Sequence, residues 1–261
     1  MKPPNTACVE RLSSTSSSQR KATVKRIITI FAIVNLWLSA SAAIKEFPTQ
    51  QGFTVVLTDD WIEIPKDVLD QLSRQMAQVS TAKIQKWDYG YQLATGTNWA
   101  AYPYILVQVK EEGRIRESEL ANFKKVHTEM DKGLKEAEDS TGGFLSGATL
   151  GETVYDDQNH ILFTSMQMNV QKIGPVVGLT AIKLTEKGAI QFMGYTLEKE
   201  ADHYVPFYKK AAIDLRLPAD LIYNPHANDF NFNGGRSAII GGIVGALGAL
   251  VWSLIKKKKT A

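Results

Sequence analysis

The chain has 261 residues, 44% of them hydrophobic and 22% charged, with a formal charge of +3. This balance excludes disordered, collagen-like and disulfide-scaffold classes, and the length suits one domain plus address segments, or at most two small domains. The positive charge sits at the ends: Ala43–Gly235 holds 19 cations against 26 anions, about −7, so nucleic acid is not expected as a partner.

Lys21, Lys25 and Arg26 precede an apolar run from Ile27 to Leu38, and Ala40-Ser41-Ala42 follows it. A cationic start, a short apolar centre and small residues before the cut are the parts of a secretory signal peptide. Twelve helical residues span about 18 Å, well short of a hydrocarbon core of roughly 30 Å. Residues 1–42 are read as a leader cleaved after Ala42. The alternatives are an uncleaved anchor or a buried core helix. The Ser-rich start, Met1–Thr23, is long, which points to a downstream start or a transit-like extension. The single Cys, Cys8, falls in the leader, so no disulfide is expected in the mature chain.

Residues 43–223 are read as the exported domain. Phe53–Leu57 and Trp61–Ile64 flank Thr58-Asp59-Asp60 and predict an opening hairpin. Pro65 suits the first turn of a helix with Val68, Leu69, Leu72, Met76 and Val79 on one face. Trp87, Tyr89, Tyr91 and Leu93 alternate, which predicts a strand with these four on one side. Tyr104–Val109 is a second strand, ended by Gly113. A long helix is predicted from Glu117 to Glu138, with Glu117 and Glu119 in its first turn, where the dipole favours acids. Ser140–Gly151 holds four glycines and is predicted to be a mobile loop. Thr153–Asp156 and Ile161–Met168 form a hairpin about Asp157-Gln158-Asn159, and Val176–Leu184 and Ala189–Leu197 another about Glu186-Lys187-Gly188. A last helix is predicted from His203 to Leu215, with Asp202 as its N-cap. Residues 224–236 are polar and read as a linker. The fold class is therefore α+β, an antiparallel β-sheet packed by helices, followed by a single C-terminal transmembrane helix.

That helix is Ser237–Ile255, nineteen residues without a charge. As a helix it spans about 28 Å, enough for a bilayer. Trp252 suits the headgroup level, and the tail 256–261 carries Lys256–Lys259, which holds this end in the cytoplasm. Ser237, Gly241, Gly245, Ala249 and Ser253 recur every fourth residue, a stripe that suits close helix–helix packing and a homo-oligomer. The lipid bilayer is thus one expected partner. The location expected is a bacterial inner membrane with the domain periplasmic. Lys258-Lys259-Thr260-Ala261 offers the alternative of an endoplasmic-reticulum membrane in a eukaryote.

Chemistry is sparsely signalled. No His-Glu-x-x-His, Gly-x-Ser-x-Gly or phosphate-loop pattern occurs, and no cofactor is expected. Asp156-Asp157-x-x-His160 has metal-ligand residue types, but hairpin turns are polar by default, so no metal is assigned. His127 is read as a core or edge residue and His226 as solvated. Six aromatics, Trp87, Tyr89, Tyr91, Trp99, Tyr102 and Tyr104, fall within eighteen residues. They could line a partner surface, because Trp and Tyr anchor interfaces, or simply pack the sheet.

The opening Gly52-Phe53-Thr54-Val55-Val56-Leu57-Thr58-Asp59-Asp60-Trp61-Ile62-Glu63-Ile64-Pro65, with the helix, meander and closing helix after it, resembles the PsbP/Mog1/DcrB-like fold family over Gly52–Leu217. Thr58 departs from the Pro usual before the turn, and a tail anchor is not typical of the family. The resemblance implies a sandwich of helices around an antiparallel sheet and a non-catalytic binding, assembly or accessory role. It carries over no catalytic residue. The function expected is a membrane-anchored extracytoplasmic domain that binds a protein partner without catalysis. Two alternatives are an envelope hydrolase drawing on Asp156, Asp157, His160 and His203, and a structural protein that self-associates through its tail helix.

Overall fold

The computed structural model describes residues 43–79, 86–95, 98–111, 113–117 and 123–226. The leader, the stretch 237–255 with Ser237, Gly241, Gly245, Ala249 and Ser253, and the lysine tail lie outside the described residues. Among the described residues no helix is long and apolar enough to cross a membrane.

Among the described residues, nine strands and three α-helices follow in order: β1 (Ile44–Pro48), β2 (Thr54–Thr58), β3 (Trp61–Glu63), α1 (Lys66–Val79), β4 (Tyr89–Leu93), β5 (Tyr104–Lys110), α2 (Phe123–Ser140), β6 (Leu145–Asp156), β7 (Ile161–Val170), β8 (Gly174–Thr185), β9 (Gly188–Leu197) and α3 (Ala201–Ile213). β1 and β2 form a two-stranded sheet. The other seven form a sheet in the order β3-β4-β5-β9-β8-β7-β6, every neighbouring pair antiparallel.

The large sheet is covered on both faces, so its central strands are apolar on both sides. On one face Leu69 and Leu72 of α1 and Met130 and Leu134 of α2 pack with Leu106, Met166, Ile182 and Met193. On the other, Tyr208, Ala211 and Ala212 of α3 pack with Phe53, Val55, Ile105, Ala181 and Phe192. The expected α+β class with an antiparallel sheet and few helices is what the chain adopts.

Four local expectations are corrected. β2 and β3 do not form a hairpin with each other: β2 pairs with β1, and β3 pairs with β4. The Asp59-Asp60 turn carries the chain from one sheet to the other. Within the predicted loop Ser140–Gly151, β6 already begins at Leu145. The Glu138 carboxylate accepts N–H bonds from Gly147 (2.8 Å) and Ala148 (3.3 Å), and the register slips between Ser146 and Thr149. Those glycines serve a bulged strand as well as a turn. Trp87 does not share a face with Tyr89, Tyr91 and Leu93; it precedes β4 and enters the opposite core. Finally, Asp202 is not the N-cap of α3. A 3₁₀ turn, Glu198–Glu200, leads into the helix, and Glu200 takes the cap position.

Candidate functional site

A cleft of about 270 Å³ opens where the β6–β7 turn, the end of β8 and the segment after α3 meet. Its polar end is Gln158, Asn159, His160 and Lys183. Its apolar walls are Leu184, Leu215, Leu217, Ile222 and Tyr223.

The turn that supplies the polar end is built by Asp156. Its carboxylate accepts the N–H groups of Gln158 and Asn159 (3.1 Å each) and the Asn159 side-chain amide (2.8 Å). An aspartate satisfying nearby backbone donors in this way is the usual chemistry of a tight turn. Burial pushes its carboxyl up, but these hydrogen bonds, with Lys209 nearby, prevail and hold it below the ordinary range. The turn ends with His160 in the left-handed region, at φ 53°. That conformation is uncommon for a residue with a side chain.

His160 is fixed from two sides. Its Nδ1 lies 2.6 Å from Glu117 Oε1, and its ring packs 5.1 Å from that of Tyr223. The Tyr155 hydroxyl donates to the same Glu117 oxygen at 2.8 Å. Burial, then this carboxylate, pushes the Tyr155 phenol above its usual pKa. A carboxylate on one imidazole nitrogen orients the ring and its tautomer. Arg114 stacks over Tyr223 at 4.5 Å and donates from Nη2 to the carbonyl of Asn224 at 2.6 Å.

Lys183 enters from the α3 side. It is 8% exposed, and its ammonium donates to the Ile213 carbonyl at 3.2 Å. Burial lowers its pKa, and Asp156 and Asp214 oppose the shift without reversing it.

Of the four residues of the hydrolase alternative, Asp156, Asp157 and His160 share this turn, while His203 is exposed on α3 with its ring edge-on to Tyr204 at 4.7 Å. Asp157 is exposed, and both Asp156 oxygens are engaged within the turn. Among the described residues no group of three His, Cys, Asp or Glu is placed to hold a metal. Of the six aromatics, Trp87, Tyr89, Tyr91 and Tyr104 are buried, and Trp99 and Tyr102 are half-buried. Tyr102, Tyr104 and Tyr195 form a ladder of rings with centroids 5.2 and 5.3 Å apart.

Nothing in the sequence alone marks Glu117, Tyr155, Lys183 and Tyr223 as belonging to one site. By sequence Glu117 is a helix-start acid, and it meets His160 across 43 positions. Lys183 carries a signal: a lone charge inside the otherwise uncharged run Val176–Leu184.

No family model and no curated protein matches the chain. Among solved structures it is similar to the cyanobacterial PsbP of Synechocystis, with 11% identity, 69% of this chain and 96% of that one covered, and a TM-score of 0.46. It is also similar to PA94, a protein of unknown function from Pseudomonas aeruginosa, with 10% identity, 70% and 99% covered, and a TM-score of 0.30. These likenesses amount to a weak PsbP-like resemblance of fold and assign no residue a role.

Proposed function

We propose that the chain is a non-enzymatic binding or accessory domain, exported across a membrane and held at its surface by residues 237–255. The observation that carries this reading is the uncharged stretch Ser237–Ile255 ending in Lys256–Lys259. As a helix it matches hydrocarbon thickness, and lysines at one end resist translocation. The leader then sends the acidic domain to the far side. In a bacterium that side is the periplasm; in a eukaryote the dilysine end favours the endoplasmic reticulum. Trp99 and Tyr102, the half-buried members of the aromatic group, are the ones within reach of a protein partner. The small-residue stripe supports pairing of two tails.

The hydrolase reading keeps one supporting observation, the imidazole of His160 held by Glu117 at the cleft.

Carbonate extraction and a reporter fusion test the main reading. The full-length chain should stay with the membrane pellet, and a reporter fused before residue 237 should be active only outside the cytoplasm. Recovery in the wash, or activity only inside the cell, overturns it.

A further inference from the structure

Lys183 is a buried cation whose hydrogen-bond partner is a neutral group. It is 8% exposed and donates to the Ile213 carbonyl. The two carboxylates acting on it electrostatically have partners of their own: Asp156 holds the β6–β7 turn, and Asp214 pairs with Lys210. Among the described residues no carboxylate stands within ion-pair distance of Lys183. Burying an ammonium in this way is costly, and buried charges are ordinarily paired. Its position in the wall of the cleft makes the cleft the route by which a counter-ion can reach it.

The remaining surroundings set the rest of the ligand. Asn159 and Gln158 bring side-chain amides to the same end, and amides can donate to a carboxylate. His160 does not compete for that anion through Nδ1, which faces Glu117. Leu215 and Leu217 line the apolar side of the cleft beside them. At about 270 Å³ the cleft lies below the roughly 300–1,000 Å³ of drug-sized sites, so it suits a small molecule or one residue of a chain end.

We propose that this cleft binds a monocarboxylate with a short apolar tail, its carboxylate on Lys183 and its tail against Leu215 and Leu217. A free short-chain acid and the free carboxyl end of a peptide share this chemistry. The inference stands apart from membrane anchoring, since neither the lysine nor the wall lies in the tail. Burial holds the Lys183 ammonium below its ordinary pKa, and a carboxylate in contact works in the opposite direction, which supplies a second readout.

The test titrates hexanoate, with hexanamide as its uncharged counterpart, onto the full-length protein in detergent and follows binding by NMR. Hexanoate should bind about tenfold more tightly than hexanamide, and Lys183→Met should erase that difference. The Lys183 side chain should titrate at higher pH with hexanoate bound. A peptide ending in leucine, free and amidated, separates the two sources: tighter binding of the free-ended peptide than of hexanoate assigns a chain end, and the reverse a free acid. Equal affinity for hexanoate and hexanamide, no binding of either hexanoate or the free peptide, or full retention by Lys183→Met overturns the proposal. If Lys183→Met does not fold, the acid–amide comparison and the lysine titration on the unaltered protein still decide.

Discussion

Tyr195 illustrates what single buried groups cost this fold. It is fully buried on β9, and its hydroxyl meets no hydrogen-bond partner among the described residues. Burial alone pushes its phenol above the usual pKa. An unpaired buried hydroxyl costs roughly 1–3 kcal/mol. Tyr195→Phe keeps the ring, which packs on Tyr104, and deletes the oxygen. It should therefore raise stability by about 1 kcal/mol, read as a higher urea midpoint with an unchanged m-value. A lower midpoint would mean that the hydroxyl is satisfied after all. The same scale shows how far the candidate site could be read from sequence. Asp156 and His160 were legible because the turn and its polar residues are local. Glu117 and Tyr223 were not, because each reaches His160 from a distant part of the chain and neither has a pattern that names its partner.

Elements carry the next level, and α3 shows how tightly they are fitted. Tyr208 lies over the backbone of β9, its hydroxyl donating to the Tyr195 carbonyl at 2.8 Å. A Cβ placed on Gly194 would run into the Tyr208 ring. The glycine is there for close approach, not for an unusual backbone angle. Gly194→Ala should push Tyr208 off the sheet and cost about 2 kcal/mol or more, the upper part of the range for overpacked cores. Thermal unfolding should show the loss, and Tyr208→Ala in the same chain should relieve part of it. Additive losses would count against the contact. Sequence periodicity found α1, α2 and α3 and the β6–β7 and β8–β9 hairpins because their apolar repeats and turns are local. It missed β1, where only Phe47 is buried among five residues. It also mispaired β2, because a turn signal marks a reversal without saying which strand accepts the hydrogen bonds.

At the scale of the whole molecule, the chain leaves the domain along a fastened segment. After α3 it bridges to β2 through Thr54 and Arg216 and to β8 through Thr185 and Ile222. Leu221 and Tyr223 are buried. Glu186 ties down the end of this segment: it accepts the N–H of Asn224 at 2.7 Å and pairs with Arg114 Nε at 3.2 Å. The Asn224 N–H is the main reason its carboxyl titrates below the ordinary 4.5; burial opposes this, and Arg114 assists. A depressed carboxyl stabilises the folded form fully above its unfolded pKa and loses that contribution as pH falls through the folded value. The exit segment should therefore be docked at neutral pH and loosen on the acid side, below the ordinary carboxylate range. Glu186→Gln should loosen it at neutral pH. Hydrogen exchange corrected for intrinsic rates should show the 222–224 amides roughly tenfold less protected in that variant, the equivalent of about 1.4 kcal/mol for a hydrogen bond to a charged group. Amides of β8 and β9 inside the sheet should be unchanged. Identical protection in Glu186→Gln and the unaltered chain would show that the buried Leu221 and Tyr223 hold the exit segment without Glu186.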